Sequence, residues 1–390
     1  MAEALKTFFS KVLIRRLAKD IARVHPAFPV GSFIKRASKG LDDLELMERA
    51  KRISQALGAS LPSSYPEAVE ILIRSLGPEH ETDELLGVGM APFFYMPHVL
   101  FVAERGLDHF DLSMKAQYEL TKRFSAESSI RPYIARDPER TFAVLRKWSR
   151  DKNAHVRRLV SEGTRLRLPW ASRVPWLDEN PGRVLELLEL LKDDRSTMVR
   201  RSVANNLNDL GKVRPDLLAR TCEAWLEEAT PERRALVEHA MRSAIKRGDA
   251  NALRLLGFGK KAAVSIERVV FTPRKVPIGG RVRMSFVLRS TSRRSQDLLL
   301  DLAVHFVKAR GNSPPKVFKL KRITLAPLQS VTLETRVSIA VHTTRVPRPG
   351  EHAVDVVVNG VPQRAGTFRV IPATNSASPP LRRSAAARQG

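Results

Sequence analysis

The chain has 390 residues, 43% hydrophobic and 28% charged, which suggests two or three domains at roughly 100–200 residues each and excludes a wholly disordered or multi-span membrane protein. Its single cysteine, Cys222, excludes a disulfide framework, a four-cysteine zinc site and an iron–sulfur cluster built by this chain alone, and fits a reducing compartment. With 67 Lys+Arg against 41 Asp+Glu, the net charge of +26 points to a polyanionic partner, nucleic acid ahead of an anionic membrane surface.

The N-terminal stretch reaches Arg15-Arg16 too early for a secretory apolar core. Leu5, Phe8, Phe9, Val12 and Leu13 recur near helical spacing and predict a surface-packed amphipathic helix. The most apolar segment, GVGMAPFFYMPHVLFVA over Gly87–Ala103, is broken by Pro92, Pro97 and His98. It is shorter than the ~20 residues a membrane span needs. It predicts a buried helix starting near Pro97, with its aromatics in the core. The expected location is the cytoplasm, with no membrane association.

Residues 1–260 read almost wholly as helices joined by short Pro- or Gly-containing loops, and a repeat lies within them. Asp151–Gly163, DKNAHVRRLVSEG, aligns without gaps on Asp194–Asn206, DRSTMVRRSVANN. Val156, Arg157, Arg158 and Val160 match Val199, Arg200, Arg201 and Val203 at an offset of 43 residues, inside the roughly 40–47 residue period of HEAT-type helical repeats. A leucine-rich helix precedes each copy, and Thr230–Arg247 with Asn251–Leu256 reads as a further, degenerate unit. Each unit buries one face on its neighbour, giving an α-solenoid with a concave face.

Helical spacing puts Val199, Val203, Leu207 and Leu210 on a core stripe. Arg201, Asn205 and Asp209 fall on a second, polar stripe, and Arg158 and Glu162 are their counterparts in the first copy. Trp170 and Trp176 follow in RLRLPWASRVPWL. Ordinary explanations exist for each. Arg158–Glu162 fits an exposed i,i+4 ion pair worth ~0.3–0.5 kcal/mol. Asp209, ahead of Leu210-Gly211 at a predicted helix end, opposes the macrodipole at a cost of ~0.3–1 kcal/mol. Both tryptophans fit core aromatics. The histidines lack metal-ligand spacing, and there is no phosphate loop or dinucleotide fingerprint, so no metal, nucleotide or other cofactor is expected.

From Ala262 the texture changes to seven short apolar or alternating segments punctuated by turn residues, the pattern of an immunoglobulin-like sandwich. Three parts are expected: a HEAT-like helical domain over 1–260, a sandwich over 261–372, and a disordered tail over 373–390. Residues 261–390 hold 23 Lys+Arg against 6 Asp+Glu, +17 of the total. Basic pairs sit near the expected turns: Arg293-Arg294, Lys308/Arg310, Lys321-Arg322 and Arg345/Arg348. This more basic half is expected to clamp DNA.

At the quoted segments the chain resembles the AlkC branch of the AlkC/AlkD DNA glycosylases, bacterial alkylation-repair enzymes built on HEAT-like repeats. The resemblance is carried by LIRRLAKDIARVHPAF, GMAPFFYMPHVLFVAERGLDHFD, AQYELTKRFSAESSIRP, HVRRLVSEGTRLRLPW, LLELLKDD and VRRSVANNLNDLGK. It covers most of residues 1–260 and, more weakly, the sandwich. It implies hydrolysis of the N-glycosidic bond of 3-methylcytosine and 3-methyladenine in duplex DNA, without base flipping; the absence of a nucleophilic lysine motif fits a monofunctional enzyme, and a monomer is expected. It carries the active-site role onto Glu127 in FSAESS, Glu162 in LVSEGTR, Trp170 in RLPW and Asp209 in NNLND. Arg157, Arg158, Arg200 and Arg201 are the expected phosphate ligands. The alternative is a non-catalytic HEAT scaffold that binds nucleic acid, which needs no acids on the face.

Overall fold

The computed structural model describes residues 5–80, 91–258, 261–307, 315–341 and 346–373. Among these, the first helices are α1 (Lys11–Val24), α2 (Val30–Ser38), α3 (Leu46–Gly58), α4 (Tyr65–Arg74), α5 (Met96–Arg105), α6 (Phe110–Thr121), α7 (Ile130–Arg136) and α8 (Pro138–Trp148). After them come α9 (Ala154–Gly163), α10 (Pro175–Glu179), α11 (Pro181–Glu189), α12 (Thr197–Val213), α13 (Pro215–Leu226), α14 (Pro231–Lys246) and α15 (Ala250–Leu255). The strands are β1 (Val264–Thr272), β2 (Lys275–Pro277), β3 (Arg281–Ser290), β4 (Gln296–His305), β5 (Lys316–Leu325), β6 (Ser330–Ser338), β7 (Gly350–Val358) and β8 (Val361–Ile371). No helix among the described residues is long and apolar enough to cross a membrane.

The repeat is built as its sequence dictates. The two copies form α9 and α12, which pack on each other, and both α8 and α11 pack on α9. The matched valines Val156, Val160, Val199 and Val203 are all fully buried. Each second helix is started by an aspartate two residues before its cap: Asp151 accepts the Asn153 N–H and Asp194 the Ser196 N–H, both at 2.8 Å. Asn153 then caps α9 by accepting from His155 and Val156 N–H. Asn206, fully buried, ties α12 to the end of α9 by donating to the Ser161 carbonyl (2.8 Å) and Thr164 Oγ1 (3.1 Å). The expected further unit corresponds to α14 and α15, and α14 meets α12 where Arg242 donates to Asn205 Oδ1 (3.0 Å).

Two other expectations are corrected. α12 does not end at Gly211 but runs on to Val213, so Asp209 sits a full turn inside it and the macrodipole penalty fades. Gly211 serves close approach instead: a Cβ there would stand 2.3 Å from Leu218 Cδ2 of α13. At the N-terminus the buried stripe of α1 is Leu13, Ile14, Leu17, Ala18 and Ile21, while Val12 is exposed. α5 begins at Met96, beside the expected Pro97, and buries Val99, Phe101 and Val102.

The chain divides into two compact units at Ser243/Ala244, within α14, ahead of the boundary expected at 260. The cause is apolar: Leu253 of α15 and Phe258 pack with Leu299 of β4, joined by Ile245 and Leu256. That contact covers Leu299 on the second face of β4, a strand buried on both faces where an ordinary sandwich strand alternates. The second unit is a sandwich of a three-stranded sheet, β1-β3-β6, and a five-stranded sheet, β2-β8-β7-β4-β5. Val282, Met284, Phe286 and Leu288 face Leu298, Leu300, Leu302 and Val304 in its core. The strand beyond the seven expected is β2, three residues long and parallel to β8.

Candidate active site

α9 and α12 each carry an acid that ought to be costly. The Glu162 side chain is 5% exposed and that of Asp209 2%. A buried carboxylate persists only with charged partners, and both have them. Arg165, in the turn after α9, donates from Nη1 to Glu162 Oε2 (3.0 Å) and from Nε to Asp209 Oδ2 (2.8 Å). Lys212 donates to Asp209 Oδ1 (2.9 Å). On the other side, Arg158 Nη2 lies 3.6 Å from Glu162 Oε1 and its Nη1 3.2 Å from Glu127 Oε2. Ser125 Oγ donates to Glu127 (2.9 Å). The order Glu127–Arg158–Glu162–Arg165–Asp209–Lys212 is a row of alternating charge.

Beside this row lies a cleft of about 200 Å³, lined by Glu127, Arg158, Phe124, Phe93, Pro169 and Trp170 among others. Trp170 is 63% exposed and sits at φ 59°, a left-handed conformation that a bulky residue adopts only under constraint. Its ring meets Phe93 edge-on at 6.4 Å. Trp176 is different: it is half-buried and packs on Phe142 at 5.0 Å. The core explanation therefore holds for Trp176 and fails for Trp170. Phe94, Val99, Phe101 and Val102 go to the core as expected, whereas Phe93 lines the cleft. Residues 87–90 of that segment lie outside the described residues. His98 is buried, and burial pushes its imidazole down to about 4.

The expected phosphate ligands separate into groups. Arg157 is 5% exposed and grips Asp194 through Nε (2.6 Å) and Nη2 (2.9 Å), with Nη1 on the carbonyls of Asp151 and Lys152. It is a link inside the fold rather than a surface cation, which corrects the expectation for it. Arg200 turns back on the carbonyls of Asp194 and Arg195 at the start of α12. Arg201 is exposed and Arg158 belongs to the charged row. In the sandwich, Arg293 and Arg294 are exposed in the β3–β4 turn. Lys321 and Arg322 are exposed but lie within β5, not at a turn, and the Arg322 guanidinium stands 4.8 Å over the Phe258 ring. Lys308, Arg310, Arg345 and the tail from Thr374 lie outside the described residues.

Sequence reasoning missed Arg165, Lys212 and Arg131. Arg165 and Lys212 each lie three residues beyond an acid they bind, a helical spacing that offered a signal. Arg131 of α7 donates to the carbonyls of Gly163, Arg165 and Ser172 and so pins the loop that carries Arg165. Burial pushes the Arg131 guanidinium down to about 10, with the Arg165 and Arg167 charges acting in the same direction.

The helical region and the sandwich after it place the chain among DNA alkylation repair enzymes by the following similarities. Residues 123–247 match the DNA alkylation repair enzyme family, and residues 265–372 match the C-terminal Ig-like domain of the uncharacterised protein YhaZ. The chain is 33% identical to uncharacterized protein YhaZ of Bacillus subtilis (strain 168) over 367 residues, 94% of this chain and 99% of that protein. It is 38% identical to Pseudomonas fluorescens alkylpurine DNA glycosylase AlkC, solved bound to DNA containing an abasic site analog. The TM-score is 0.85, covering 95% of this chain and all of that one. The chain belongs to the AlkC-like DNA alkylation repair glycosylase family.

Proposed function

We propose that the protein is a monofunctional glycosylase that hydrolyses the N-glycosidic bond of cationic N3-methylated bases, 3-methylcytosine and 3-methyladenine, in duplex DNA. The observation that carries this reading is the pair of buried acids, Glu162 and Asp209, with Glu127 and Trp170 at the neighbouring cleft. Glu127 lines an open cleft on a chain of net charge +26, where a carboxylate repels phosphates unless it meets positive charge.

The lesion supplies that charge. An N3-methylated base is a cation and leaves with the bonding electron pair as a neutral molecule, so no general acid is required. As the C1′–N bond breaks, positive charge develops on the sugar. Fixed carboxylates stabilise it electrostatically, and one of them takes the proton of the water that adds to C1′. The Trp170 indole offers a face to the deoxyribose or the cationic base. Its exposure at the rim suits a lesion approached from outside the helix, without flipping. The P. fluorescens AlkC structure with abasic-site DNA supports the same product class here. Arg158, Arg200 and Arg201 on the solenoid, and Arg293, Arg294, Lys321 and Arg322 on the sandwich, would carry phosphate contacts.

The test is incubation with methylated duplex DNA followed by alkali, beside a uracil-containing duplex. The expected outcome is strand breaks at 3-methyladenine and 3-methylcytosine and none at uracil, whose departure needs leaving-group stabilisation. Binding without breaks would make the chain a non-catalytic scaffold, and efficient uracil release would overturn the mechanism.

A further inference from the structure

Glu162 and Asp209 stand on different helices and share one guanidinium. Arg165 engages Glu162 Oε2 through Nη1 and Asp209 Oδ2 through Nε, with Nη2 also 2.8 Å from that oxygen. Its side chain is 13% exposed. Desolvation alone would lower its affinity for a proton, but the charges of Glu162 and Asp209 outweigh this and hold it above its usual value. The loop beneath is fixed by Arg131, whose guanidinium takes the Gly163 and Arg165 carbonyls. The outer oxygens face other cations: Glu162 Oε1 faces Arg158 and Asp209 Oδ1 faces Lys212.

We propose that Arg165 is a positioning residue for base excision: its one guanidinium sets the separation and orientation of the Glu162 and Asp209 carboxylates, while Arg158 and Lys212 hold their outer oxygens. The inference rests on the glycosylase reading above. Two like charges in a low-dielectric site repel, and without a shared counter-charge they splay apart or take up a proton. Electrostatic stabilisation of a developing cation works only if the carboxylates are fixed beforehand, because reorganising them costs part of the gain. A planar fork with donors on two edges can bridge two carboxylates, whereas a lysine ammonium is a point charge on a flexible stem. Both donor edges of Arg165 are turned to carboxylates.

The competing account makes Arg165 only a staple between α9 and α12. The full-length protein separates the two. Single-turnover release of 3-methyladenine and affinity for a duplex carrying an abasic-site analogue would be measured for wild type, Arg165→Met and Arg165→Lys. Misplacement of reacting groups by ~1 Å costs ~10²-fold in rate. Arg165→Met is therefore expected to lose ~10²-fold in release rate with abasic-DNA affinity unchanged, and methylguanidinium should restore part of that rate where equal sodium chloride does not. Arg165→Lys should recover only part of it and stay at least about tenfold below wild type. If Arg165→Met does not fold, Arg165→Lys decides the matter. Wild-type release by Arg165→Lys, or a rate loss in Arg165→Met that no methylguanidinium restores and that tracks a loss of affinity, overturns the inference. A wild-type protein that releases no base overturns the glycosylase reading and this inference with it.

Discussion

Arg157 of α9 and Asp194 ahead of α12 form a two-pronged ion pair, at 2.6 and 2.9 Å, with both side chains under a tenth exposed. Asp194 also accepts the Ser196 N–H, so a single carboxylate starts the second repeat and clasps the first. Removing one partner of a buried pair leaves the other charge uncompensated, which costs about 3–5 kcal/mol. Arg157→Ala should lose stability on that scale in chemical denaturation, and pairing it with Asp194→Ala should cost less than the sum. Arg201→Ala, at an exposed position, should leave stability nearly unchanged and weaken DNA binding instead. Equal, small stability losses in Arg157→Ala and Arg201→Ala would contradict the structural role of Arg157.

Asp209→Asn and Glu162→Gln address the chemistry. Removing one charge-stabilising group commonly costs ~10²–10³ in rate. Both variants should lose single-turnover activity on that scale while binding abasic-site DNA as well as wild type, because both acids are buried in the charged row and not on the surface that meets phosphates. Asp209→Asn also strips Arg165 and Lys212 of a shared counter-ion, so its melting temperature should fall more than that of an exposed substitution. Near-wild-type rates in both variants would remove these acids from the mechanism.

The two tryptophans should respond in opposite ways. Trp170 is exposed and holds a left-handed backbone, a conformation that costs an ordinary residue roughly 1–2 kcal/mol. Trp170→Gly should therefore keep or raise the melting temperature while base excision falls by about 10–10²-fold, the range set by a lost aromatic stack of ~1–3 kcal/mol. Trp176→Ala removes the partner of Phe142 and should lower the melting temperature with DNA affinity retained. Loss of stability in Trp170→Gly would mean that the ring is structural after all.

What the sequence disclosed follows from periodicity. The valines of VRRLV and VRRSV fixed the core faces of α9 and α12, but the register put Glu162 and Asp209 only on a polar stripe; their site role was implied by the family resemblance, and their burial was not foreseen. Periodicity could not separate Arg157 from Arg158: neighbours on a helix differ by about 100°, and only the position of Asp194 in space decides which turns inward. It was equally silent on Arg165 as a bridge, because a turn has no repeat to extrapolate and Asp209 lies 44 residues away. Trp170 and Trp176 share the same Pro-Trp text and part company through a backbone torsion and the presence of Phe142. The three-residue β2 falls below any alternation signal, and α15 left the helical unit because Leu253 and Phe258 found Leu299, a contact between distant segments.

The sandwich offers a separable electrostatic test. Its exposed basic positions differ in what else they do: Arg293 and Arg294 stand in the β3–β4 turn, while Arg322 also lies over Phe258. Each phosphate contact contributes about 0.9 to the slope of log affinity against log salt. Arg293→Glu with Arg294→Glu should weaken binding to a lesion duplex and flatten that slope by up to about two such units, with the melting temperature unchanged. Lys321→Glu with Arg322→Glu should flatten it similarly but also lower the melting temperature, because the cation over Phe258 is lost and a cation–π contact contributes ~0.5–1 kcal/mol or more. The losses should be largest at low salt and shrink as the salt concentration rises, as a flatter slope requires. Affinity for one lesion duplex measured across a salt series, beside thermal melts of the same proteins, separates the roles. A slope unaltered by both double variants would leave the sandwich without a DNA-binding role and confine phosphate recognition to the solenoid arginines.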